Sequence, residues 1–232
     1  MDVFDLRRHI VDDYARFARS FTRIKSADLK QQVDQIYNDD QFWPEPLLQI
    51  TPHYERGASL DELAAAGDVI STTAAIFRVP DDPGQPLQLH THQVQALNAA
   101  KLGHSYVVTT GTGSGKSLCF FIPIIDAIIR AKAQDKSKRT RAVIVYPMNA
   151  LANSQMEELE KFLKLVAPAR PITFARYTGQ DGDEARRAVA AEPPDILLTN
   201  FMMLEYLMTR QDEIDQQVIG HCQGLKFLVL DE

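Results

Sequence analysis

Val107-Val108-Thr109-Thr110-Gly111-Thr112-Gly113-Ser114-Gly115-Lys116-Ser117-Leu118-Cys119-Phe120-Phe121 is the stretch on which the fold turns. Residues 105–109 are short, apolar and β-branched, and so predict a strand. Three glycines follow within five residues, and then an apolar run with helical spacing begins. Glycines let a backbone curl until consecutive N–H groups face one anion. A helix N-terminus placed just beyond them adds a partial positive charge. Strand, curled loop and helix in that order predict a phosphate cradle. Lys116 is placed to reach the outer phosphates, and the Ser117 hydroxyl to ligate Mg²⁺. Thr110 stands where the strict pattern GxxxxGK[ST] has its first glycine.

Strands are predicted at 105–109, 142–146, 172–177, 196–199 and 225–230. Helices are predicted between them near 116–133, 150–165, 184–191 and 201–208. Apolar strands alternating with helices predict an α/β fold with a parallel sheet covered on both faces. Ligands of such sheets bind at the carboxyl ends of the strands. The strand 225–230 runs into Asp231-Glu232, which supplies the second half of a triphosphate site. Asp231 is the predicted Mg²⁺ ligand. Glu232 is the predicted base for an attacking water.

The first third of the chain is read as helical. Phe4, Ile10, Val11, Tyr14, Phe17 and Phe21 recur at helical spacing over 2–21. Ser26 is placed to cap a second helix reaching Tyr37, and Trp43 reads as a core anchor. Ser59 and Glu62 have capping-box spacing, and Gly67 ends that helix. The turn-rich segment 81–86 is the predicted boundary between an accessory region, 1–80, and the sheet domain, 81–232. A further helix, 89–102, is closed by Gly103.

With 25 basic and 31 acidic residues the net charge is −6, which argues mildly against a nucleic-acid partner. Backbone amides at helix N-termini hold phosphates without formal charge, so that partner stays open. Two cysteines, Cys119 and Cys222, lie far apart and read as reduced core thiols, not a zinc site. No apolar run is long enough to span a bilayer and the N-terminus carries no apolar export signal, so a cytoplasmic protein is expected. The basic run Arg130, Lys132, Lys136, Lys138, Arg139 and Arg141 joins a helix to the next strand at the sheet's far edge. It reads as a solvated loop.

Taken in order, these motifs resemble the first RecA-like domain of the superfamily 2 DEAD/DEAH-box helicases, over roughly Leu87 to Glu232. Leu89-His90-Thr91-His92-Gln93 resembles the family's adenine-reading motif, which implies a bidentate contact from Gln93. Phe77 is a candidate for the aromatic partner of the base, a core position being the other reading. The loop Thr110, Gly111, Thr112, Gly113, Ser114, Gly115, Lys116, Ser117 resembles motif I. Tyr146-Pro147-Met148-Asn149 resembles motif Ia, but Met148 and Asn149 stand where Thr-Arg-Glu is usual. Tyr177-Thr178-Gly179-Gln180 resembles the Thr-Gly motif, and Leu198-Thr199-Asn200 a strand end that presents a threonine to nucleic acid. Asp231-Glu232 opens motif II.

The resemblance implies ATP and Mg²⁺ as cofactors. It implies nucleic-acid contacts at Asn149, Thr178, Gly179, Thr199 and Asn200, with DNA favoured over RNA. It is similar above all to large bacterial DNA helicases of repair and phage defence. It also implies a second RecA-like domain, in cis or in trans, whose arginines stabilise the transferred phosphoryl. The chain by itself is expected to bind ATP weakly and hydrolyse it negligibly. Two other readings stay open: a P-loop ATPase of another lineage, such as a restriction-enzyme translocase subunit, and an inactive half-motor that binds nucleic acid or a partner.

Overall fold

In the computed structural model, residues 2–38, 53–111, 113–164 and 172–231 are described. The chain forms two compact units, residues 1–52 and 53–232. The predicted boundary at 81–86 therefore falls inside the second unit.

The first unit contains α1 (Val3–Ser20) and α2 (Ala27–Asn38). Asp2 caps α1 by accepting from the Phe4 N–H at 2.9 Å. Where the two helices end, Arg19 donates to Asn38 Oδ1 at 2.9 Å and lies over the Tyr37 ring. The apolar stripe of α1 forms as the periodicity predicts, but Phe4, Ile10, Tyr14, Phe17 and Phe21 are exposed. Trp43 lies outside the described residues.

The second unit begins with β1 (Arg56–Ser59), α3 (Leu60–Ala65), α4 (Ser71–Ile76), β2 (Arg78–Val79), β3 (Asp82–Pro86) and β4 (Gln88–His90). Ser59 and Glu62 form the predicted capping box on α3, and Gly67 ends the turn at φ 79°. Pairing of β2 with β3 makes an antiparallel ribbon of the segment read as a linker. Leu60, Leu63, Val69, Ile76 and Phe77 share one core with Phe121, Ile124 and Ile144. The burial of those side chains is why residues 53–80 belong to the sheet domain.

Then follow α5 (Thr91–Lys101), α6 (Lys116–Gln134), β5 (Ala142–Tyr146), α7 (Asn149–Lys164) and β6 (Phe174–Tyr177). The chain continues with α8 (Asp183–Ala191), β7 (Ile196–Asn200), α9 (Phe201–Thr209), α10 (Glu213–His221) and β8 (Phe227–Leu230). The parallel sheet has the order β6-β7-β5-β8. Side chains alternate between the faces of a strand, and β5 shows what each face meets. Ala142, Ile144 and Tyr146 pack into the core that includes Phe121 and Ile125 of α6 and Leu159 of α7. Val143 and Val145 pack into a second core with Val189, Met203, Leu207 and Val218 of α8, α9 and α10. The expected α/β architecture, a parallel sheet with helices on both faces, is present.

Residues 105–109, predicted as a strand, are not paired in the sheet. They line a cavity of about 1360 Å³ whose other walls come from α5, α6, β8 and the turn at Gly67–Asp68. An extended segment becomes a strand only when neighbouring backbones take up its amides and carbonyls. One hydrogen bond still fastens this segment. Pro123 sits inside α6 and has no N–H to offer the carbonyl four residues earlier, that of Cys119. The Tyr106 hydroxyl donates to that carbonyl at 2.8 Å.

Candidate functional site

The phosphate loop leaves residues 105–109 and ends at the N-terminus of α6. Gly113 and Gly115 have φ of 75° and 71°, the left-handed region that glycine enters at no cost. Gly115 is constrained twice, since a Cβ there would meet Gln93 Nε2 at 2.6 Å. Thr110 and Ser114 hydroxyls bond across the turn at 2.5 Å. Lys116 folds its ammonium back onto the Thr110 carbonyl at 3.2 Å, over the loop it would share with a phosphate. Ser117 follows in the first turn of α6. Thr112 lies outside the described residues.

Asp231 continues the ladder beyond β8, its N–H bonded to the Val145 carbonyl at 2.9 Å. That places it at the carboxyl end of the sheet. Thr110, Lys116 and Asp231 line the same cavity. A lysine cation, the backbone N–H groups of the glycine turns, a serine hydroxyl and a carboxylate are groups that suit a metal-bound triphosphate. Glu232 lies outside the described residues.

Gln93 is brought to this loop, although not as a free reader. It is 3% exposed. Its Oε1 accepts from the His90 N–H at 2.8 Å, and its Nε2 donates to the Gly115 carbonyl at 2.9 Å. The carboxamide thus ties the start of α5 to the phosphate loop. His92 adds a second tie, with Nε2 3.1 Å from the Ser114 carbonyl. Both ties escaped sequence reading, which offers no signal for the far partner of a hydrogen bond. Phe77 is fully buried and packs on Phe162 with ring centroids 5.0 Å apart, so the core reading of it holds.

A second group lies along the ends of β5, β7 and β6. Asn200 caps α9 by accepting from the Met203 N–H at 2.7 Å. Its Nδ2 also donates to Asn149 Oδ1 at 2.6 Å, which joins the ends of β5 and β7. Gly179 is exposed. Thr178 and Thr199, in contrast, are fully buried. The Thr199 hydroxyl donates to the Tyr177 carbonyl at 2.7 Å, and Thr178 donates both N–H and hydroxyl to Asp181 at 2.7 Å. In this state the two threonines shape the rim from within.

Asp181, Arg176 and Asn153 were not found from sequence. The Arg176 guanidinium bonds Asp181 and Asn153. Burial would push the Asp181 carboxyl up, but bonds from Arg176 and Thr178 outweigh it and hold the pKa below the ordinary carboxylate value. Tyr177, Asp215 and Arg186 form a buried knot beneath the same rim. Burial, then the bond to Asp215, pushes the Tyr177 phenol up to about 12.

At the opposite end of the sheet the basic run is solvated at Lys136 and Lys138 but buried at Arg141. Arg130 pairs with Asp126, Lys138 with Glu192 and Arg139 with Asp135. Arg141 is buried and pairs with Asp195 at 3.0 Å, and Lys132 reaches the same carboxylate at 2.7 Å. The far-edge placement stands, but a solvated Arg141 does not.

Glycine loop, parallel order and terminal carboxylate together define a P-loop α/β domain of RecA-like fold. Residues 90–232 match the DEAD/DEAH box helicase family, and the chain belongs to it, as the first RecA-like domain of a superfamily 2 helicase. The Druantia protein DruE of Escherichia coli (strain UMEA 4076-1) is 32% identical over 160 residues, covering 62% of this chain and 8% of that protein. Mycobacterium smegmatis helicase Lhr bound to ssDNA and AMP-PNP matches with TM-score 0.51 at 26% identity, over 69% of this chain and 19% of that one. DUF1998 helicase MrfA bound to DNA and AMPPNP shares the fold with TM-score 0.60 at 24% identity, over 84% of this chain and 25% of that one. The chain spans only 8%, 20% and 18% of the length of three curated relatives. Among the described residues, no helix is long and apolar enough to cross a membrane.

Proposed function

We propose that this chain is the ATP-binding domain of an ATP-dependent nucleic-acid helicase or translocase. One observation carries the reading: Thr110, Lys116 and Asp231 line one cavity beside β8, with Asp231 at the carboxyl end of the parallel sheet. The loop 110–117 wraps the triphosphate with backbone amides, and Lys116 neutralises charge on its outer phosphates. Ser117 and Asp231 are the residues that would hold Mg²⁺, which would supply positive charge against the charge that builds on the phosphates. Glu232 orients the attacking water and takes its proton. Gln93 reads the adenine edge by a bidentate contact, exchanging its present bonds to the His90 N–H and the Gly115 carbonyl. A second RecA-like domain contributes arginines, worth about 10³–10⁵ in rate.

Nucleic acid runs along the rim that carries Asn149, Gly179 and Asn200, with Thr178 and Thr199 fixing its shape from beneath. DNA is favoured, a choice supported by Lhr, whose structure holds ssDNA. The nucleotide half is tested by isothermal titration with Mg·ATP. Lys116→Ala should abolish binding, and equal heats from the two proteins would refute the site.

A further inference from the structure

Large apolar side chains are exposed singly on most proteins, and a cluster of them at a functional rim asks for an occupant. Three stand together here. Met148, Phe201 and Met202 are 60%, 63% and 51% exposed. Met148 immediately precedes Asn149, and Phe201 immediately follows Asn200. The Asn149–Asn200 hydrogen bond of 2.6 Å therefore ties together the chain positions that carry both apolar side chains, where β5 and β7 end side by side. The packing of the sheet does not need them, because the cores on both faces are filled by other residues of the same strands and helices.

The electrostatic surroundings select the occupant. Helices α7 and α9 both start at this spot, and neither has an acid in its first turn. Their N–H groups thus keep their partial positive charge. Helix α8, which starts beyond β6, opens with Asp183 and Glu184, and α10 opens with Glu213 and Asp215. An apolar aromatic and two polarisable thioethers beside helix N-termini that carry no acid, with only the Met203 N–H of α9 taken up by Asn200, match a nucleotide, whose phosphate is anionic and whose base is a flat apolar ring. A purely apolar protein segment would bring no anion to those N-termini.

We propose that Phe201, flanked by Met148 and Met202, is a stacking platform for one unpaired base of a single-stranded nucleic acid. The inference rests on the nucleic-acid reading of the rim given above and adds base contact to it. Base stacking on an aromatic side chain is tolerant of sequence, since every base has a π face. The platform therefore grips single strands and not duplexes, whose bases are already stacked on one another.

The experiment is fluorescence anisotropy with the full chain and two labelled strands of equal length, one an oligothymidylate and the other abasic. The wild-type chain should bind the oligothymidylate about tenfold more tightly than the abasic strand. Phe201→Ala should bring the two affinities together while keeping the salt dependence set by phosphate contacts. Phe201→Trp should restore the difference. Equal wild-type affinity for both strands, or a preference that survives in Phe201→Ala, would overturn the platform and leave the backbone track standing. Failure of the wild-type chain to bind either strand would overturn the track and the platform together.

Discussion

The central strand β5 has two neighbours, and the sheet is built differently on either side of it. Towards β7 and β6 every layer is closed. Strand β7 is buried along its apolar residues, three helices cover one face, and the threonine hydroxyls at the rim are bonded inward. Towards β8 the packing is open. Leu228 and Leu230 are exposed, as is Val107 across the cavity, and residues 105–109 are held by the Tyr106 bond. The proposed nucleic-acid rim lies on the closed side and the phosphate loop on the open side. The proposed polymer track is thus backed by filled cores, while the phosphate loop borders a cavity.

The strongest way to break that contrast is to loosen the closed side. Asp195 is buried between Arg141, Lys132 and Thr173. Asp195→Ala leaves Arg141 and Lys132 without their shared carboxylate and should cost about 3–5 kcal/mol. Differential scanning calorimetry should show a melting temperature lower by roughly 10 °C. A loss of a degree or less would mean that the amino-terminal end of the sheet is not what makes this side rigid.

A smaller effect is expected on the open side. Tyr106→Phe removes the donor that satisfies the Cys119 carbonyl, at a cost of about 1 kcal/mol. Hydrogen exchange of residues 105–109 should quicken in that variant while the exchange of β7 is unchanged. Equal quickening in both would show that the two sides are one cooperative unit.

The smallest effect concerns Asp181, and pH sharpens it. Its folded pKa lies below the ordinary carboxylate value. The bonds it accepts therefore stabilise the fold fully above the unfolded pKa, and the benefit fades as pH falls through the folded one. The gap in melting temperature between wild type and Asp181→Asn should be widest near neutrality and shrink below about pH 4. A gap independent of pH would remove Asp181's charge from the account of the Thr178 turn.

Much of this was legible in the sequence because it is local. Loop 110–117 announces itself by glycines at short spacing, the helices by caps and periodicity, and Asp231 by the apolar strand that delivers it. Parts that depend on distant partners were not. Residues 105–109 have the composition of a strand, yet pairing is a property of two segments. Segment 81–86 has the composition of a linker, and only its pairing with Arg78 and Val79 makes it a ribbon. Arg141 looked solvated like Lys136 and Lys138 because nothing near it in sequence foretells Asp195, 54 residues away. Thr178 and Thr199 were read as outward-facing because a hydroxyl at a strand end is silent about where its proton points.

Gln93 carries one more implication. Its amide holds the rung between the first turn of α5 and Gly115, and α5 in turn is packed against α6 and β1. Any ligand that reshapes the glycine loop must either snap that rung or drag α5 along with it. News of an occupied cradle would then reach Thr91 and the short strands beside it through the adjacent side chains of Gln93 and His92.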